Sequence, residues 1–210
     1  MQTFKELYVG GEWIAPDSSE VIEVISPASE EVIGQVPHAS TADADKAIAA
    51  ARRAFDEGPW PRMTPVERAE AIGRLSAALQ ARAGDIADTI SSQNGSPKQW
   101  SMMGQVFSST MVLDTYAAMA TQYEWVDTRT GMMGGPVRVR KAPVGVVAAI
   151  TPWNVPLFIA ALKLGPGLLA GCTFVLKPAP ETPLDSYALA EAIIEAGIPE
   201  GVVNILPAGR

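Results

Sequence analysis

The final third of the chain constrains the fold most. Gly145–Ile150 and Thr173–Leu176 are continuous apolar runs, Val202–Leu206 is a third, and helix-length segments, Leu157–Ala170 and Leu184–Ala196, separate them. Short apolar runs alternating with helical segments build βαβ units and a parallel sheet. Three such strands with two crossover helices make a right-handed βαβαβ unit. The expectation is an α/β chain containing the first half of a doubly wound, Rossmann-type sheet. Ligands of such sheets sit outside the carboxyl ends of the strands. Those ends fall at Thr151-Pro152-Trp153-Asn154, Lys177-Pro178-Ala179-Pro180 and the residues after Leu206.

The first 122 residues read as short strands and then helices. Leu7–Val9, Val21–Ile25 and Val32–Val36 have strand patterns around Gly10-Gly11 and Ser26-Pro27 turns. Thr41 or Asp43 is expected to cap a helix reaching about Asp56. Thr64, with Pro65 behind it and Glu67 in the first turn, caps a second helix that Gly84 is expected to divide. Asn94–Pro97 is a loop, and a Met- and Ala-rich helix follows to about Ala120. Residues 123–141 alternate around Thr130-Gly131 and Gly134-Gly135-Pro136, the pattern of a projecting β-hairpin. The organisation is therefore 1–122, a hairpin at 123–141, and the half-sheet at 142–210.

Charge and cysteine content narrow the function classes. A net charge of −7 argues against nucleic acid or an anionic membrane as main partner. The longest apolar stretch is broken by Pro152, Asn154, Pro156, Lys163 and Pro166, so no membrane span is expected. The start, MQTFKELYVGGEW, lacks the basic-then-apolar order of a signal peptide, and a single cysteine fits a reducing compartment, so the cytoplasm is expected.

Two residues at the sheet edge could carry chemistry. Asn154 follows the first buried strand between two prolines; its carboxamide could donate to a developing oxyanion, or could cap the next helix. Lys177 closes the second strand; it could bond a ribose or phosphate, or be a solvated strand-end lysine. Gly165, Gly167 and Gly171 do not have dinucleotide-fingerprint spacing and are read as packing glycines. Cys172 is read as a small buried residue, His38 has no evident partner, and no His, Cys and carboxylate cluster has metal-ligand spacing.

PWN, KLGPGLLAGCT, VLKPAPETP and GIPEGVVNILPAGR together resemble the aldehyde dehydrogenase superfamily, and YVGGEW, SPASEEVIGQVP, AARRAF and GPW…ERAEAIGRL agree with its amino-terminal half. The resemblance covers nearly the whole chain. It implies an aldehyde-dehydrogenase-like fold and NAD(P)-dependent oxidation of an aldehyde to a carboxylic acid, with NAD or NADP as cofactor. Asn154 then matches the oxyanion donor, and Lys163 a lysine with an ordering or proton-relay role near the reacting centre. Lys177 matches the ribose-binding lysine. Ile150, Thr151, Pro152 and Trp153 line the cofactor cleft through their backbone, Ala179 and Pro180 belong to the same edge, and Gly209 approaches the adenine. Residues 123–141 match an arm that joins subunits of a homo-oligomer.

Two departures qualify the match. Pro180 stands where NAD-preferring members often carry a glutamate, with Glu181 displaced by one position, which opens the choice between NAD and NADP. Family members are also well over twice this length, so the nucleophilic cysteine, the catalytic glutamate and the pyrophosphate turn are expected beyond Arg210. The 210 residues alone are then expected to be inactive, with a sheet whose last strand exposes an apolar edge. The alternative is a non-catalytic module that binds nucleotide or joins other subunits.

Overall fold

The computed structural model describes residues 1–209. Ten strands run in chain order: β1 (Gln2–Thr3), β2 (Leu7–Val9), β3 (Glu12–Ile14), β4 (Val21–Ile25), β5 (Val32–Pro37), β6 (Val126–Thr130), β7 (Pro136–Arg140), β8 (Val146–Ile150), β9 (Thr173–Lys177) and β10 (Val203–Ile205). The helices are α1 (Thr41–Asp56), α2 (Pro65–Ala81), α3 (Ala83–Asn94), the single turn α4 (Lys98–Trp100), α5 (Ser108–Met119), α6 (Pro156–Ala170) and α7 (Asp185–Glu195). Between α4 and α5, Ser101–Phe107 is a π-helix, so the region from Lys98 to Met119 is one nearly continuous rod.

The expected βαβαβ unit is present. β8, β9 and β10 pair in parallel, with Ile150 opposite Lys177 and Ile205 opposite Leu176. The sheet does not stop there. β10 pairs on its far side with β2, antiparallel, and β2 with β3, giving the order β3-β2-β10-β9-β8. The expectation of an open edge at the last strand is therefore wrong: the amino-terminal hairpin covers it. Buried Asn204 fixes the join. Its carboxamide donates to the carbonyls of Phe174 (3.0 Å) and Gly201 (2.9 Å) and accepts from Gly10 N–H at 2.7 Å.

At the opposite end of the sheet from β3, β8 is an edge strand that pairs only with β9 among the described residues. Its apolar run suggested burial on both faces, yet Ile150 is 64% exposed and Ala148 is also exposed. In a doubly wound sheet of order 3-2-1-4-5-6, this is the edge against which the second half is laid.

The helices enclose the sheet from both sides. α1 lies across β8, β9 and β10 on one face, and the Thr173 hydroxyl donates to the Ala51 carbonyl at 2.9 Å. α6 and α7 cover the other face, with α2 and α5 packed over them. The main core, including Ile72, Leu75, Leu113, Leu164, Leu168, Phe174 and Ile193, fills this second side. Gly165 and Gly167 allow the close packing. A Cβ on Gly165 would lie 2.8 Å from the Tyr116 ring of α5, and one on Gly167 would overlap the Phe174 ring of β9.

Ser40, rather than Thr41 or Asp43, caps α1. Its hydroxyl accepts from Asp43 N–H, and the Asp43 carboxylate accepts in return from Ser40 N–H at 2.9 Å, a full capping box. Burial pushes the Asp43 carboxyl up, but the hydrogen bonds from Ser40 and Asp17 outweigh it and hold the group below its ordinary value. The division after α2 falls at Arg82, not Gly84. Arg82 leaves the helical conformation as its guanidinium reaches Glu195 on α7 at 2.6 Å.

Thr64 caps α2 as the sequence indicates, with Glu67 closing the box at 2.7 Å. Thr64→Ala should lower stability by about 1 kcal/mol, read as a fall in the urea midpoint at unchanged slope. No helix among the described residues is long and apolar enough to cross a membrane.

Candidate active site

The parallel register brings three chain segments to one edge of the sheet. After β8 come Thr151–Asn154, after β9 come Pro178–Glu181, and after β10 come Pro207–Gly209. Thr151 N–H extends the ladder by donating to the Lys177 carbonyl at 3.1 Å. Thr151 and Ala179 are buried, so their contribution to a ligand would come through backbone. Lys177 is half-buried at the strand end, and Trp153 is 53% exposed.

A groove of ≈ 490 Å³ opens at this edge, lined on one side by Trp153, Pro180, Glu181 and Thr182. Its other wall was not legible in the sequence: Ile22, Glu23 and Ile25 of β4 face it, with Gln93 and Asn94 at the end of α3. The groove thus holds a carboxylate, Glu181, one residue beyond the proline that replaces the expected glutamate.

Asn154 does not cap α6. The capping position is Val155, and no side chain bonds the helix amino terminus. The Asn154 carbonyl accepts from Asn94 Nδ2 at 3.1 Å, and the Trp153 carbonyl accepts from the Thr182 hydroxyl at 3.3 Å. Both ends of the Trp153-Asn154 turn are therefore held from outside it, while the exposed Asn154 carboxamide has no hydrogen-bond partner among the described residues. A fixed backbone with an unused amide donor is the arrangement an oxyanion requires. Neither Asn94 nor Thr182 carried a local sequence signal for this task.

Lys163 is exposed on α6, on the same solvent-facing stripe as Leu162. Gly209 lies beyond β10, where its N–H donates to His38 Nε2 at 3.0 Å, and a Cβ there would approach that nitrogen to 2.8 Å. His38, which showed no partner in the sequence, thus holds this segment, helped by Ala39 N–H donating to the Pro207 carbonyl at 2.8 Å. Cys172 is buried at the foot of β9, at the opposite end of the strand from Lys177, and cannot meet a substrate at this edge.

Comparison with known proteins decides the family. The model of the aldehyde dehydrogenase family matches residues 13–210. The chain belongs to the aldehyde dehydrogenase family. It is 39% identical over 208 residues to a geranial dehydrogenase of Castellaniella defragrans, covering 98% of this chain and 43% of that protein. It is 40% identical over 211 residues to a cytosolic aldehyde dehydrogenase of Mus musculus, covering 96% of this chain and 40% of the relative. A crystal structure of a Mycobacterium tuberculosis aldehyde dehydrogenase complexed with NAD+ superposes with a TM-score of 0.96 at 45% identity, over 100% of this chain and 43% of that one. The chain therefore spans less than half the length of these relatives, and the mixed α/β fold is shared throughout the part it spans.

Proposed function

We propose that these residues form the nucleotide-binding edge and oxyanion side of an NAD(P)-dependent aldehyde dehydrogenase. The observation that carries the reading is the Trp153-Asn154 turn, pinned by Asn94 and Thr182 beside the Lys177 strand end.

The residues present fit a nicotinamide dinucleotide. Trp153 offers an apolar surface, Lys177 a cation, and Glu181 a carboxylate acceptor for hydroxyls, all at the carboxyl ends of parallel strands. When bound, such a cofactor supplies the hydride acceptor. The Asn154 Nδ2–H group donates to the aldehyde oxygen as charge develops on it, without giving up a proton. Lys177 Nζ donates to ribose hydroxyls. Glu181, displaced from the usual position, sets the choice between NAD and NADP: a carboxylate accepts from a 2′-hydroxyl and repels a 2′-phosphate. Cys172, the only cysteine of these 210 residues, is buried away from the edge and does not act as a nucleophile there.

The hairpin of β6 and β7 supports a homo-oligomer. The two strands pair only with each other, and Val126 and Val137 are exposed, so its outer edges are available to strands of another subunit.

Nucleotide binding tests the reading directly. NAD+ should quench tryptophan fluorescence saturably, Trp153→Phe should abolish the change, and Lys177→Ala should weaken the apparent affinity by about tenfold, the equivalent of one lost polar contact of ~1.4 kcal/mol. Unaltered quenching in both variants would sink the assignment.

A further inference from the structure

A second groove, of ≈ 520 Å³, lies where the start of α2 meets the base of the hairpin, and it shares no residue with the nucleotide groove. Five cationic residues line it: Arg62, Arg68, Arg138, Arg140 and Lys141. That is five of the 16 Lys and Arg in a chain of net charge −7, and no Asp or Glu is among the lining residues.

None of the five is paired with a carboxylate among the described residues; the ion pairs of the chain involve other residues. Arg62 donates to the carbonyls of Gly58 and Asp56. Arg68 is only 5% exposed, and its guanidinium is held by neutral acceptors: the Leu169 carbonyl at 2.8 Å, the Trp60 carbonyl at 3.5 Å and the Met63 carbonyl. These bonds fix its direction, and no carboxylate among the described residues bonds it directly. The nearest carboxylate in sequence, Glu67, is engaged with the Thr64 N–H and hydroxyl. Arg138, Arg140 and Lys141 make no side-chain hydrogen bond or ion pair among the described residues.

Burial holds the Arg68 guanidinium below the usual arginine range; nearby Cys172 and Glu67 pull it back up, and the Arg140 charge pushes it down. Like charges gathered in a concave site oppose one another unless an anion enters. Arginine forks match the oxygens of phosphate and carboxylate in paired hydrogen bonds, and five cations exceed what a single negative charge balances.

We infer that this groove is a binding site for a small phosphate-bearing anion, seated between the fixed Arg68 and the Arg138, Arg140 and Lys141 side chains of the hairpin base. The apolar wall formed by Met63, Pro61 and Trp125 would accommodate a short organic group attached to the phosphate.

Thermal unfolding of the 210-residue chain provides the test, using inorganic phosphate, phenyl phosphate and sodium chloride at matched ionic strength. Phosphate at ten times its Kd should raise Tm saturably by about 4 °C above the chloride control. Tighter binding of phenyl phosphate assigns the site to phosphate monoesters, and equal binding assigns it to free phosphate. The double variant Arg138→Gln/Arg140→Gln should reduce the rise to under about 1 °C. Lys5→Gln/Arg53→Gln removes the same charge from exposed positions elsewhere and should retain the rise in full. Phosphorus NMR line broadening of phenyl phosphate, present with the parent chain and lost with the groove variant, reads the same event without heating. A phosphate effect no larger than that of chloride, or one that the groove variant keeps or the control variant loses, would overturn the assignment.

Discussion

Asp185→Asn should make the chain more stable at pH 8 by roughly 4 kcal/mol, and the gain should all but vanish at pH 4. Asp185 opens α7 and is 3% exposed; among the described residues its one side-chain partner is Gln93, whose Nε2–H donates to it at 2.7 Å. Burial raises its pKa from 3.8 to about 7, because the Gln93 amide and the residue's own backbone N–H together do not replace the hydration of a carboxylate. The sign follows from linkage. In the unfolded chain the group ionises near its ordinary value, whereas the folded chain resists ionisation until about pH 7. The stability this residue permits is therefore complete below the unfolded value and is lost as pH rises through the folded one. Asparagine keeps an acceptor for Gln93 and has nothing to ionise. Urea midpoints for both proteins across pH 4–8 check the claim, and a difference that does not change with pH would show that Asp185 ionises freely in the fold. The consequence reaches the nucleotide groove, since Gln93 lines it and its Oε1 also accepts from Leu184 N–H at 2.9 Å.

Gly167→Val should cost about 3 kcal/mol, the upper part of the range for overpacking a filled core. A Cβ at this position overlaps the far end of the Phe174 ring, which is itself fully buried. The ring can yield only by pushing β9 away from α6 or by displacing Leu164 and Leu168, neighbours in the same core. Gly73 in α2 is the matched comparison. Nothing lies within 4 Å of a Cβ there, so Gly73→Ala should raise stability by about 0.5–1 kcal/mol through helix propensity alone. Equal, small effects at the two positions would mean that α6 does not rest on Phe174 as described.

What the sequence made legible was whatever is encoded locally. The alternation from Gly145 to Leu206 gives β8, α6, β9, α7 and β10 almost to the residue, since apolar runs and their breakers act over a few positions. The Thr64-Pro65-Glu67 cap is local in the same sense. Apart from the cap of α1, which lies one residue earlier at Ser40, the failures involve partners distant in the chain. Val146–Ile150 has the composition of a strand buried on both faces, but composition cannot say which neighbour is beside it. Leu7–Val9 was read correctly as a strand, yet nothing in three residues indicates that it pairs with β10. Within the site, Asn154 and Lys177 stood out through their place after apolar strands. Asn94, Thr182 and His38 act through single hydrogen bonds across dozens of residues, which leave no periodic trace.

The pairing of β2 with β10 also governs when this structure can form. Tyr8 and Ile205 face each other across the sheet, although β3 to β9 and α1 to α7 lie between their strands in sequence. During synthesis the amino-terminal hairpin emerges first, but its partner strand β10 emerges only after α1 to α7 have been made, so the hairpin must wait with one apolar edge unpaired. Closing so long a loop carries a large entropic cost before any contact compensates it, which places the sheet among slow, late-forming topologies. α2, α3 and α5, whose contacts are nearer in sequence, are the elements able to assemble beforehand. Asn204, with its three bonds at the junction, then serves as the latch that closes the sheet once β10 arrives.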